Sequence, residues 1–518
     1  MRNPLRYRVF YTTRQKIVTS TVVLALLIWG TVVAVDRITT PEDRGCVPGV
    51  ERPVGSRECV GVAVDGNGYD FGVPALTSVA AAIGRENASL REGRYATVAL
   101  LLPLTSTDPG LREKVLHELQ GAFAQQYAAN RDNNETPQIR LLLANSGKGH
   151  VHWRVAVDRL KTMRGAPHQL RAVSGIGTSN ALVRDAVSEL TGAGIAVVGT
   201  TITADDIANG PGPGHNRFPG LARVAPTNSD EARALARFGT VDAGRALLVH
   251  DTRTGDHYTD TLKTAFSTLL VKSPYEAQLF TSPEDPNAEG TTANTFRQIT
   301  HLICDTRADT LYFAGRHTQL RQFVNALGRR GCTDRKFTVL TGDEGSYLGA
   351  DKQLDRSVLG AGLTVRYAAL AHPDAWRAVA GRPTPATGGS TAAYDAFVRT
   401  LDTLATKPAG PIGPVELTDG QAIVAYDAMA LAVHAIREAT PRGSRLPPAA
   451  DVVKQWPQVK GSLKVAGAGG WICLDNYGNP YNKAVPVVEL TGNAPRFVQI
   501  AWPEGKPPAG DCLPPRRS

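Results

Sequence analysis

From residue 95 onward the spacing of apolar positions switches repeatedly between two periods. The run 95–104 (YATVALLLPL) is short and apolar almost throughout, which predicts a strand buried on both faces. Residues 111–130 place apolar side chains at helical spacing, and 138–144 (QIRLLLA) return to strand character. The alternation continues with helix over 151–163, strand over 171–176, helix over 181–190 and strand over 195–199. A GPGPG breaker at 210–214 interrupts it, and then the pattern restarts. Helices are predicted over 228–238, 258–269, 295–304 and 318–328, and strands over 246–250, 277–280, 310–314 and 337–341. Strands separated by helices need crossover connections, so the sheets are parallel with helices on both faces. The restart predicts an α/β chain of two doubly wound lobes.

Ahead of this pattern lies an uncharged apolar run, 17–35, which as a helix would span roughly 28 Å and match a bilayer core. Arg2, Arg6, Arg8, Arg14 and Lys16 precede it with no acidic residue among them. The positive-inside rule then predicts a cytoplasmic tail over 1–16, one transmembrane helix over 17–35, and the bulk of the chain outside the cytoplasm. A cleaved signal peptide, with Val32 and Ala34 at the −3 and −1 positions, is the competing reading. Residues 36–93 are rich in Gly, Pro and charge, with helical spacing only over 76–89, and are expected to form a stalk or small disulfide cap.

Charge and cysteine usage sharpen this picture. The net charge of +9 is concentrated in that short basic tail, and no basic stripe with interleaved aromatics follows, so a nucleic-acid partner is not expected. The six cysteines, Cys46, Cys59, Cys304, Cys332, Cys473 and Cys512, would lie in an oxidising compartment. Their order suggests pairing of sequence neighbours, although spacing alone leaves other connectivities open. His301 and Cys304, three apart, could join Cys332 at a metal, but a fourth ligand is missing.

Binding loops of a doubly wound sheet gather at the carboxyl ends of its strands, where helix N-termini offer unpaired N–H groups. Thr105 and Ser106 follow the first strand, Thr178, Ser179 and Asn180 the third, and Thr201 and Thr203 the fourth. In the second half Asp256 and Tyr258 follow one strand, Arg316 and His317 another, and Asp343 and Glu344 a third. Catalytic signatures are missing. The glycines at 175 and 177 are followed by Asn180 where a dinucleotide fingerprint needs a third Gly, GTSNA at 177–181 fails as a nucleophile elbow, and no Walker A motif occurs. His150 and His152 stand two apart in a loop, a weak metal signal. No enzyme activity, cofactor or metal is expected.

Several stretches, taken in order, carry a resemblance: VSGIGTSN (173–180), IAVVGTTITADDI (195–207), ARVAPTNSDEARALAR (222–237), ALLVHD (246–251), TLYFAG (310–315), VLTGDEG (339–345), QAIVAYDAMALAVHAIR (421–437) and LDNYGNPYNKAVPVVE (474–489). Over about 94–495 the chain resembles the type I periplasmic binding proteins, in particular the branched-chain amino acid (Leu/Ile/Val) substrate-binding group of ABC transporters. The resemblance implies three crossovers between lobes, with lobe 1 formed by 94–218 and 348–460, lobe 2 by 219–347 and 461–495, and a C-terminal tail over 496–518. It implies that Ser179, Asn180, Thr201 and Thr203 hold a ligand carboxylate. Glu344, with Asp343, would meet an ammonium, and Tyr258 would form a wall. Arg316 and His317 stand where the family often has an aromatic residue, which departs from aliphatic amino acid specificity. The implied function is a membrane-anchored extracytoplasmic solute-binding protein that closes on an amino-acid-like ligand for an ABC importer. The alternative is a sensor ectodomain acting through a partner protein, since so short a cytoplasmic tail holds no signalling domain.

Overall fold

The computed structural model describes residues 12–39, 45–132, 136–211, 214–239, 242–284, 289–360, 362–406 and 411–513. Arg2, Arg6 and Arg8 of the expected basic tail lie outside them.

Helix α1 (Thr13–Thr39) carries the N-terminal apolar run, and Ile17, Val22, Leu24, Leu27 and Trp29 are exposed on it. Among the described residues no helix is long and apolar enough to cross a membrane.

Two mixed sheets follow. The first has the order β1-β2-β3-β5-β4-β6-β7-β8. Its strands are β1 (Gly45–Val47), β2 (Val50–Glu51), β3 (Val60–Val62), β4 (Tyr95–Leu102), β5 (Gln138–Asn145), β6 (Leu170–Gly175), β7 (Ala196–Gly199) and β8 (Leu221–Arg223). The second has the order β10-β9-β11-β12-β13-β16-β17. It contains β9 (Ala246–Asp251), β10 (Gln278–Phe280), β11 (Thr310–Ala314), β12 (Phe337–Thr341), β13 (Leu363–Ala368), β16 (Val485–Leu490) and β17 (Arg496–Ala501). A separate hairpin joins β14 (Val465–Gly467) to β15 (Gly470–Ile472). Strands β4 to β8 pair in parallel, as do β9 to β13, while β1 to β3 and β16 to β17 add antiparallel edges.

Burial on both faces explains why the central strands are nearly all apolar. Along β4, Ala96, Val98, Leu100 and Leu102 enter one core and Ala99 and Leu101 the opposite one. Along β9, Leu247 and Val249 face one layer and Ala246 and Leu248 the other. Helix α2 (Thr77–Ala88) packs beside α3 (Pro109–Asn130), and α3 lies against a later helix, Gln421–Glu438. That approach is close, since a side chain at Gly121 would run into the Ala422 carbonyl. The helices that follow along the chain are α4 (Trp153–Thr162), α5 (Ala181–Gly192), α6 (Asn228–Gly239), α7 (His257–Leu269), α8 (Thr292–Asp305) and α9 (His317–Gly328).

The pairing moves several boundaries expected from sequence. Residues 45–62 are not a stalk: β3 pairs antiparallel to β5, with Gly61 opposite Asn145 and Val62 opposite Ala144, because Val60 and Val62 are fully buried there. The change of lobe expected at 348 comes only after β13, which lies in the second sheet. The segment expected in lobe 2 from 461 stays with lobe 1 until β16, since Ala468, Ile472 and Leu474 join the lobe 1 core. Residues 496–501 are no loose tail, because β17 pairs with β16. After it the chain returns to lobe 1, where Trp502 is buried.

Candidate functional site

The carboxyl ends of both sheets face one another across a cavity of about 710 Å³. Lobe 1 lines it with Ser106, Asp108, His150, Thr178, Asn180 and Leu182, and lobe 2 with Arg253, Asp256, Arg316, His317 and Glu344. Helices α3, α5, α7 and α9 all begin at this cleft, and three of them are capped by their own sequence. Asp108 accepts the Leu111 N–H (2.8 Å), Asn180 the Val183 N–H (2.9 Å) and Asp256 the Thr259 N–H (3.2 Å). The N–H groups left uncapped in each first turn favour negative charge in the space ahead of them. The backbone is unusual on the lobe 1 side. His150, Ile176 and Thr178 have φ of 66°, 38° and 70°, a region costly for non-glycine residues and found most often at functional sites.

The floor is an ion network centred on Arg316. Its Nε and Nη2 donate to Asp256 at 2.8 and 2.7 Å, and Nη1 donates to Glu344 at 2.7 Å. The second oxygen of Glu344 accepts the His317 backbone N–H (3.0 Å) and lies 2.8 Å from His317 Nδ1. The guanidinium lies 4.7 Å from the centre of the Tyr258 ring. Burial works against the charge of Arg316, but Asp256 and Glu344 outweigh it and hold the group well above its ordinary value. Burial raises Glu344, yet Arg316 and His317 together pull it well below the carboxylate range. His317 is lowered by burial and raised further by Glu344, so it ends above its ordinary value. His150 behaves otherwise: burial and the charge of Lys114 push it down to about 3.

Behind the floor the lobes touch directly. The Ser179 carbonyl accepts the Tyr258 N–H (2.9 Å) and a weaker bond from Arg316 (3.3 Å), and His257 faces Asp206 at 2.6 Å. The cleft is therefore closed around its rear.

The sequence-derived residues divide between the cavity and its support. Ser106, Thr178, Asn180, Asp256, Arg316, His317 and Glu344 line it. Thr105 instead bonds to Glu58 and Asn145, and the Ser179 Oγ accepts the N–H groups of Thr203 and Ala204, both at 3.2 Å. Thr201 accepts from Lys114 (2.8 Å), and Thr203 is buried with its carbonyl taking the Asn228 N–H. Tyr258 lies under Arg316 with its hydroxyl at the Glu344 N–H (3.4 Å), and Asp343 sits against Glu231 (3.1 Å). Sequence reasoning missed Glu58, Asp108, Lys148 and Arg253. Glu58 accepts the Lys148 N–H (2.7 Å) and lay hidden in the supposed stalk, whereas Asp108, a cap just before Pro109, carries a readable signal.

The bonded cysteine pairs are Cys46–Cys59, Cys304–Cys332 and Cys473–Cys512, the sequence neighbours. Cys304 and Cys332 are thus engaged with each other and not with a metal.

No protein-family model and no curated protein matches the chain. Solved structures do. The substrate-binding protein LivJ of a branched-chain amino acid transporter from Streptococcus pneumoniae, in complex with isoleucine, superposes with a TM-score of 0.55 at 13% identity, over 78% of this chain and 99% of that one. An ABC transporter substrate-binding protein from Aeropyrum pernix gives 0.57 at 13% identity, over 81% and 97%. A solute-binding protein from Rhodopseudomonas palustris in complex with p-hydroxybenzoic acid gives 0.51 at 15% identity, over 80% and 98%. At such identities the likeness speaks for the fold: the chain has the two-lobed architecture of the ABC-transporter substrate-binding proteins, as its sequence motifs led one to expect.

Proposed function

We propose that the chain is an extracytoplasmic solute-binding protein, held to the membrane by α1, which closes its lobes on a small ligand with an anionic end and presents it to an ABC-type importer. The observation that carries this reading is the cavity of about 710 Å³ between the lobes, which is of small-molecule size and lined from both sides. Its placement at strand carboxyl ends is where such sheets bind ligands. Structures of the same fold hold isoleucine and p-hydroxybenzoic acid, both carboxylates. Ser106, Thr178 and Asn180 would receive the anion, with the first turn of α5 behind them, while Arg316 and His317 wall the other side. The disulfides suit an oxidising compartment, and the exposed apolar side chains of α1 suit a lipid environment. No catalytic step belongs to this reading.

A thermal-shift screen of amino acids and small organic acids on the soluble part tests it. A ligand at about 100 times its dissociation constant stabilises by roughly 2.7 kcal/mol, a shift of a few degrees for lobes of this size. Replacing Asn180 with Ala should shrink that shift. A screen with no responder, or a responder indifferent to Asn180 and Thr178 substitutions, would refute the cleft as the site. Co-purification of the detergent-solubilised chain with a permease supports transport, and with a kinase supports sensing instead.

A further inference from the structure

The two buried carboxylates of the cleft floor are already occupied. Asp256 receives both a fork from Arg316 and the Thr259 N–H, and Glu344 receives Arg316 on one oxygen and His317 on the other. All three side chains of that triad are less than a tenth exposed. A guanidinium keeps its charge at every ordinary pH, so it cannot step aside by losing a proton. Of the other acids at the cleft, Glu58 takes the Thr105 hydroxyl and the Lys148 N–H, and Asp108 caps α3. Glu284 is exposed at the rim.

What remains open has the opposite character. The Ser106 hydroxyl and the Nε2 of His150 are buried, line the cavity and have no partner among the described residues. Arg253 also lines it, and its guanidinium has no hydrogen-bond partner among the described residues. His150 is neutral at ordinary pH because its value is pushed down to about 3, so it adds a hydrogen-bonding group and not a charge. A hydroxyl, a neutral imidazole, a cation and uncapped helix N–H groups together match oxygens and negative charge.

We propose that Arg316 is a built-in counter-ion filling the space between Asp256 and Glu344, so that the ligand is a small organic acid bearing hydroxyl or carbonyl oxygens and no ammonium group. This rests on the cleft being the ligand site, and it makes Arg316 a specificity-determining residue. An entering ammonium finds no buried carboxylate lining the cleft left unpaired, only a hydroxyl and a neutral imidazole, so its charge is desolvated without a counter-ion.

Calorimetry on the purified full chain with matched pairs tests it: leucine against 4-methylpentanoate and 2-hydroxy-4-methylpentanoate, and tyrosine against 3-(4-hydroxyphenyl)propanoate. The acid lacking the ammonium should bind on the order of 100-fold tighter than its partner. If the ammonium-bearing member binds equally or more tightly, the inference falls while the cleft remains a binding site. If no member of any pair binds, nor any other acid in the thermal-shift screen, the cleft reading itself fails and takes the inference with it. Arg316→Met frees Asp256 and Glu344, and should narrow or invert the preference toward the amino acid. A folded variant with the wild-type preference would overturn the assignment. Should the variant not fold, the wild-type pairs decide alone.

Discussion

Asp343 and Glu231 form a buried acidic pair beneath the ion network, and their titration should be visible in stability. The Asp343 N–H donates to one Glu231 oxygen, while Oδ1 of Asp343 and Oε1 of Glu231 are buried without partners. Burial and the charge of Glu344 push Asp343 from 3.8 up to about 7, and burial with Asp343 raises Glu231 as well. Between about pH 4 and pH 7 the folded chain therefore keeps a proton that the unfolded chain has released, so stability falls as pH rises through that window. Asp343→Asn removes the share of this dependence that belongs to Asp343, leaving that of the buried Glu231, and should be more stable than wild type at pH 7 and above, by on the order of 1 to 4 kcal/mol. Melting both proteins from pH 4 to 8 checks it, and parallel curves would exclude the effect. At this scale sequence placed residues near the cleft but not their duties. Ser179 shows why: its Oγ is held by two N–H groups of the loop after β7, a backbone pairing that no side-chain pattern announces. Arg316 was legible as a departure from the family, yet its two partners come from loops 60 and 28 residues away.

Among elements, the small strands β1 to β3 matter more than their length suggests. They complete one edge of the lobe 1 sheet, and the bond between Cys46 and Cys59, 13 residues apart, ties the outer strand to the loop that carries Glu58. Closing a loop of that size contributes about 3 kcal/mol by restricting the unfolded chain. Replacing both cysteines with Ser should lower unfolding stability by about that amount and also weaken ligand binding, because Glu58 organises the loops after β4 and β5. Chemical denaturation of the lobe reads the first effect, and an unchanged midpoint would show that strand pairing alone suffices. The central strands were legible because burial on both faces makes them apolar runs. Strands β1 to β3, at two or three residues each, are shorter than any period that could reveal them. Beyond residue 341 no strand was assigned from sequence, and β13, with intermediate Thr364 and Arg366 between buried neighbours, carries the weaker alternating signal of a strand next to antiparallel pairing.

At the scale of the molecule the two lobes were expected, but their seams were not, since each passage of the chain between lobes is set by sheet pairing far apart in sequence. After β17 the chain returns to lobe 1, where Cys512 is fastened to Cys473, so the C-terminal segment acts as a strap across both lobes. At the other end, only five residues separate Thr39 of α1 from Gly45 of β1, a reach of at most roughly 20 Å. If α1 is held in a bilayer as proposed, lobe 1 hangs on a short leash, and its search for the proposed permease would become lateral diffusion over the membrane instead of diffusion through a volume. Inserting about 20 Gly/Ser residues at that point should leave ligand affinity in detergent unchanged and lower the local concentration offered to a neighbouring permease about tenfold. Transport assays at limiting permease would register the loss, and undiminished uptake would show that the leash does not set the encounter. A binding protein tethered in that way would trade range for address: it would sample only the solute that reaches its own patch of surface.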